Sequence, residues 1–179
     1  MRRKASGFTL LDFLISVGIV AVLLGIAVPA WSTVSEAAHT SAAQSALLGS
    51  LTRSISHAAL TGSEVVLCPG DAGGCRPGID WSRGWIAYAD IDGSRTRGAS
   101  ETLLQVEPRL GGRVHLRSTR GRTRLVFQPN GGNAGSNVTF TVCDGRGADK
   151  ATTLVLANDG RLRASKPTAA AALACMEDM

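Results

Sequence analysis

Residues 8 to 28 form one long apolar run, interrupted by a single carboxylate, Asp12. As a helix, 21 such residues would span roughly 32 Å, which matches the hydrocarbon core of a bilayer. A cleaved secretory signal would have a shorter apolar region, of about 7–15 residues. Here the run is longer and leads into helix-favouring sequence, so residues 8–30 read as a retained membrane span. Pro29 is expected to break or kink the helix. In residues 31–62 the pattern becomes amphipathic. Leu47, Leu51, Ile55 and Ala58 recur at helical spacing with Leu48 and Ala59 alongside, while Gln44, Ser45, Thr52, Arg53 and Ser56 lie opposite. Gly62 is the expected C-terminal stop. Beyond it, short runs separated by Gly, Asn, Asp and Pro predict strands at 64–68, 84–90, 102–107, 113–118, 123–128, 137–143, 152–157 and 161–165. The predicted class is α+β, a long N-terminal helix whose amphipathic half packs on antiparallel sheet within a β-rich domain, 63–179. The final PTAAAALACMEDM is expected to be a tail tethered through Cys175.

Charge and cysteines refine this picture. The net charge of +5 hides an asymmetry. Residues 109–166 carry eleven basic and three acidic side chains, a balance of +8, whereas residues 8–108 carry five and nine. Arg2, Arg3 and Lys4 precede the span, and the positive-inside rule places them in the cytoplasm and the domain outside it. There disulfides persist. Cys68, Cys75, Cys143 and Cys175 allow three pairings. In one of them Cys68–Cys75 closes the short CPGDAGGC loop and Cys143–Cys175 pins the tail to a strand. The spacing fits no common zinc finger.

An ionised Asp inside a span costs about 2.5–3.5 kcal/mol on insertion scales, less near the interface, so Asp12 calls for a partner. A cut between Gly7 and Phe8 would create an α-ammonium four residues before it, on the same helical face. Chemistry elsewhere is sparse. His39, His57 and His115 are scattered, and no nucleophile-elbow motif supports a hydrolytic triad. No enzyme, cofactor or metal site is expected. DIDG (Asp90, Asp92, Gly93) has the opening of a calcium turn. An EF-hand loop needs further oxygen ligands and a distal Glu at set spacing, and SRTRG supplies arginines, so the stretch reads as a plain turn. Trp81 and Trp85 bracket Arg83 as core or loop anchors. The sharper signal is RSTRGRTR, where Arg117, Arg120, Arg122 and Arg124 crowd a predicted hairpin. GRLRAS adds Arg161 and Arg163, with Lys166 just beyond. Residues two apart on a strand share a face, and arginine forks suit phosphate oxygens. The alternative is a solvated strand face or an acidic protein neighbour.

RRKASG followed by FTLLDFLISVGIVAVLLGIAVPAW resembles the type IV prepilin signature, matching at Gly7, Phe8, Thr9, Leu10 and Pro29. The resemblance implies a leader, residues 1–7, removed after Gly7 by a prepilin peptidase that N-methylates Phe8. It also implies that the acidic residue neutralises the N-terminus of an adjacent subunit during assembly. The family usually has Glu where this chain has Asp12, one methylene shorter. WSRGWIAYADIDG, FQPNGGNAGSNVTFTVC and GRLRAS are similar to the GspH/FimT group of minor pilins and pseudopilins. That implies an inner-membrane subunit with a periplasmic domain and other minor pilins or pseudopilins as partners. In the FimT branch a C-terminal Gly-Arg-x-Arg element is associated with DNA binding in natural transformation, and Gly160, Arg161, Leu162 and Arg163 fit it. The expected function is a FimT-like minor pilin of a pilus tip complex that also binds DNA without sequence preference. The alternative is the minor pseudopilin H of type II secretion.

Overall fold

The computed structural model describes residues 9–178. The chain divides into two compact units after Ser35. Helix α1, Leu10–Thr61, runs through both. Thr9 starts it with a reciprocal cap. The Asp12 amide donates to Thr9 Oγ1, and the Thr9 amide and hydroxyl donate to Asp12 Oδ2 at 3.2 and 2.6 Å. This pairing satisfies backbone donors that a helix start leaves open. In the first unit the apolar residues of α1, from Leu10 to Val28, are exposed. That stretch is long and apolar enough to cross a membrane. The expected break at Pro29 is not seen, since α1 continues through that position. Loss of one intrahelical hydrogen bond does not stop propagation when the helix extends far on both sides.

In the second unit the helix ends where glycine allows. Gly62 takes φ +71°, and its amide bonds the Ala58 carbonyl. The period then changes to that of strands. These are β1 (Glu64–Asp71), β2 (Gly74–Cys75), β3 (Trp85–Asp90), β4 (Leu103–Glu107), β5 (His115–Ser118), β6 (Leu125–Phe127), β7 (Val138–Cys143), β8 (Thr152–Leu156) and β9 (Leu162–Ser165). They form two antiparallel sheets. The first has the order β2-β1-β3-β4 with β6 also on β1, and the second has the order β5-β7-β8-β9. All eight predicted strands are present. The short β2, which turns back on β1 beside the Cys68–Cys75 disulfide, was not expected. The tail, expected to be tethered through Cys175, forms a helix, α2 (Ala169–Glu177). Its alanines favour helix, and Thr168 Oγ1 caps it by accepting from the Ala171 amide. Cys175 joins it to Cys143 on β7.

The main core lies between α1 and both sheets. Ala43, Leu47, Leu51 and Ala58 pack with Val65, Leu67, Trp85 and Ala87 of the first sheet and with Leu116, Phe140, Val142 and Leu156 of the second. Leu48 and Ala59, expected to flank this stripe, face solvent. Their places are taken by Ser50 and Ser54, buried among apolar neighbours. Ser50 is tolerated there because it is fully bonded. Its hydroxyl donates to the Ala46 carbonyl and accepts from Trp85 Nε1 and Gln105 Nε2.

A second polar link ties the helix to the other sheet. Thr40 donates its hydroxyl to buried Asp144, which also takes the Arg146 guanidinium at 2.7 Å. Burial pushes the Asp144 carboxyl up, but the bonds from Arg146 and Thr40 outweigh it and hold it below its ordinary value of 3.8. A lowered folded-state pKa contributes stability that is present above the unfolded value and lost as pH falls through the folded one. The contribution of Asp144, read as the difference in urea stability between the wild type and Asp144→Asn, should therefore hold from pH 7 to about 5 and shrink below about 4. Asp144→Asn should lose about 1–3 kcal/mol at pH 7 and show a shallower acid fall.

Candidate nucleic-acid interface

The candidate basic residues fall into two groups, and the fold separates them by role. The β8–β9 connection is a tight turn. The Gly160 amide bonds the Ala157 carbonyl, and the Ala157 amide bonds the Arg161 carbonyl. Gly160 has φ +81°, and a Cβ there would lie 2.7 Å from the Gly131 carbonyl oxygen. Both facts require glycine at this position. Arg161 sits in the turn rather than on the strand, highly exposed, with its Nε 3.0 Å from Asp159. Arg163 lies on β9, the edge of the second sheet, opposite Val155. Lys166 follows the strand. Arg163 and Lys166 are exposed and have no polar partner among the described residues.

The second group surrounds the β5–β6 connection. Arg120 is exposed and also without a partner among the described residues. Arg122 and Arg124 precede β6, so they do not share a strand face as expected. Arg122 is half-buried and turned into the fold. It donates to the Ala134 carbonyl at 3.1 Å and to Asn133 Oδ1 at 3.0 Å. Burial lowers its pKa from the usual arginine value. Arg124 is exposed and donates to the Arg95 carbonyl. Arg117 is also turned inward, bonding the Ala174 carbonyl and Asp178 at the end of α2. That satisfies a C-terminal carbonyl and places a cation at the negative helix end.

These contacts join the two groups into one surface. Arg122 holds Asn133, and the Asn133 amide bonds the Asn158 carbonyl in the β8–β9 turn. The Asn158 amide in turn bonds Asn137. Across the second sheet, Arg163 is level with Val155 and Thr139, and Thr139 exchanges two hydrogen bonds with Thr119 Oγ1. At about 4.8 Å per strand, Thr119 and Arg163 are roughly 14 Å apart. Arg120, Arg161 and Arg163 thus share one end of this sheet, with Arg122 as an internal strut. The surface can hold a polyanion through several phosphates, but it offers no aromatic ring for bases. Trp81 and Trp85 are wholly buried.

Other expected features resolve simply. Ser82, His115 and Asp80 come together, but Ser82 Oγ and Asp80 both approach the same ring nitrogen, at 2.8 and 3.9 Å. A triad needs them on opposite nitrogens. Ser82 also accepts from the Leu116 amide, so it serves the fold. Gly7 and Phe8 lie outside the described residues. Asp12 is exposed and held by Thr9.

The family of type II transport protein GspH matches residues 43–160. This chain belongs to that family. The match ends just before Arg161. Among solved structures, the type IV minor pilin FimU of Pseudomonas aeruginosa is similar, with a TM-score of 0.58 and 16% identity over 75% of this chain and 92% of that one. The minor pseudopilin EpsH of the Vibrio cholerae type 2 secretion system is similar as well, with a TM-score of 0.52 and 13% identity over 72% and 98%. These likenesses show a pilin-like fold, a long N-terminal helix with antiparallel sheets. No curated relative matches the chain.

The strut has a testable consequence. Arg122→Gln should remove two hydrogen bonds to the 128–135 loop and cost about 1–3 kcal/mol. Amide exchange should quicken at Asn133, Ala134 and Asn158 and stay unchanged at Phe140 in the core.

Proposed function

We propose that this member of the GspH family is a minor type IV pilin of the FimT kind, which captures DNA at the sheet end that carries Arg120, Arg161 and Arg163, with Arg124 and Lys166 as outlying cations. In this reading a prepilin peptidase removes residues 1–7, Phe8 is N-methylated, and the apolar half of α1 anchors the subunit in the inner membrane with the domain in the periplasm. Asp12 then neutralises the new terminus of a neighbouring pilin during assembly. The observation that carries the DNA assignment is the exposure of Arg163, Lys166 and Arg120 without partners among the described residues, near an Arg161 whose only ionic neighbour among them is Asp159.

Such a surface captures the backbone rather than reading bases. Arginine forks meet phosphate oxygens, and the ions released from the duplex supply the free energy. Sequence readout needs side chains that reach base edges, and no recognition helix is at hand. A second reading, a minor pseudopilin of type II secretion, is favoured by the family's own description and by the likeness to EpsH. In that case the same cations would face an acidic partner subunit.

A DNA mobility shift with the purified chain decides between them. Duplexes of unrelated sequence should bind alike, and affinity should fall with salt by about 0.9 log units per phosphate contacted. Replacing Arg161 and Arg163 together by Gln should flatten that slope by about 1.8. No shift at low salt, or a slope that the double substitution leaves unchanged, favours the secretion reading.

A further inference from the structure

The connection between β3 and β4 gathers more acid than a plain turn needs. It reads DIDGSRTRGASE, residues 90–101. Oxygens of Asp90, Asp92 and Glu101 lie within 4.8 Å of one another. Asp90 and Glu101 are buried, 2% and 6% exposed. Three carboxylates this close repel, and burial removes the water that would screen them. No ion pair among the described residues reaches them. The nearby arginines are engaged elsewhere: Arg95 with Glu64, Arg97 with the Ala72 carbonyl, and Arg124 with the Arg95 carbonyl.

Two buried polar groups point to what is missing. Asp90 Oδ1 has no hydrogen-bond partner among the described residues. Neither does the hydroxyl of Tyr88, whose residue is wholly buried. Tyr88 precedes Asp90 by two positions on β3, so both face the same side of the sheet. A cation at this point would relieve both the repulsion and the unpaired oxygen.

The loop supplies further oxygens at the right intervals. Counting Asp90 as the first position, Asp92 is third, Ser94 fifth, Thr96 seventh and Glu101 twelfth. A twelve-residue calcium loop draws its ligands from these positions, with the backbone carbonyl at the seventh and a glycine turn at the sixth. Here the sixth is Arg95, which has φ +56° and is the one non-glycine residue with positive φ among the described residues. Its amide donates to Asp90 Oδ2 at 3.0 Å, the Ser94 amide donates to Asp92 Oδ1 at 2.8 Å, and amides of Ile91 and Gly98 donate to the two Glu101 oxygens. Each of these leaves a lone pair free. The Ser94 hydroxyl donates to the Thr96 carbonyl at 3.0 Å, so the oxygens of positions five and seven are side by side.

We propose that residues 90–101 bind a calcium-class divalent cation through the carboxylates of Asp90, Asp92 and Glu101, the Ser94 hydroxyl and the Thr96 carbonyl. The donors are all hard oxygens, which excludes a preference for zinc or copper. Strands flank the loop in place of helices, so the ion pins one connection of the first sheet and opens no groove. Three charges among surrounding arginines suit the weak range of extracellular modules, with a Kd of about 10⁻⁴–10⁻³ M.

The test uses the full chain in detergent, stripped of metal with a chelator. Calcium chloride at about ten times the upper Kd bound should raise the Tm, and magnesium at the same concentration should raise it less. Terbium(III), a luminescent stand-in for calcium, should show emission excited through the nearby Tyr88. Asp92→Asn, at an exposed position that leaves the core untouched, should abolish the calcium response and weaken terbium emission at least tenfold, and Glu101→Gln should do the same. A wild-type chain whose Tm ignores calcium overturns the proposal. So does a calcium shift that survives intact in Asp92→Asn, since that marks general surface screening.

Discussion

One face of one helix organises the folded domain. Between Thr40 and Ala58, α1 presents Ala43, Leu47, Leu51 and Ala58 to a core shared by both sheets. The sheets do not pair with each other along an edge, so this helix face is what makes them one core. Two polar links set its position. Ser50 receives Trp85 and Gln105 from the first sheet, and Thr40 donates to Asp144 from the second. Buried polar groups are costly unless bonded, so these links allow few alternative alignments of the helix on the sheets. The basic edge and the acidic loop are both consequences. Each is a connection between strands whose ends this packing holds in place.

Much of this was legible in the sequence because the signal was local. The change from helical to alternating spacing falls at Gly62, where the backbone needs a positive φ. Gly, Asn and Pro clusters mark the turns between all eight predicted strands. Other features were not legible because they depend on contacts distant in the chain. Leu48 looks like a stripe residue, yet it faces solvent while Ser50 is buried, since Ser50 finds Trp85 thirty-five positions later. Arg117 and Arg122 look like their neighbours in RSTRGRTR, but Ala174 and Ala134 draw them inward. The alanine tail lacked the apolar stripe of an amphipathic helix, and its helix rests on alanine propensity, a Thr168 cap and the link from Cys175 to Cys143. The twelve-position spacing from Asp90 to Glu101 is masked in the sequence by the two arginines of SRTRG that lie between them. The structure turns those arginines outward to other partners and brings Glu101 back to Asp90.

The two charged regions differ in kind, and the two proposals follow from that difference. Beside the β8–β9 turn, Arg163 stands exposed without a polar partner among the described residues, and glycine at position 160 lets the turn pack on Gly131. At the β3–β4 connection, acids are buried with an unpaired oxygen among them. Free exposed charge suits a ligand that arrives from solution and leaves with salt. Buried, converging charge suits an ion that becomes part of the fold. The first unit adds a third requirement. Under the proposed pilin reading, its exposed apolar helix is covered by lipid before assembly and by neighbouring helices afterwards, and in either setting an ionised Asp12 is favoured by a cation nearby.

That requirement gives the assembly account its most direct test. The chain should be expressed with a prepilin peptidase, extracted from membranes and weighed intact by mass spectrometry. The account predicts a mass that begins at Phe8, carries one added methyl group and includes both disulfides. A mass that still begins at Met1 would leave Asp12 without its cationic partner and contradict the reading of this chain as a pilin-type subunit.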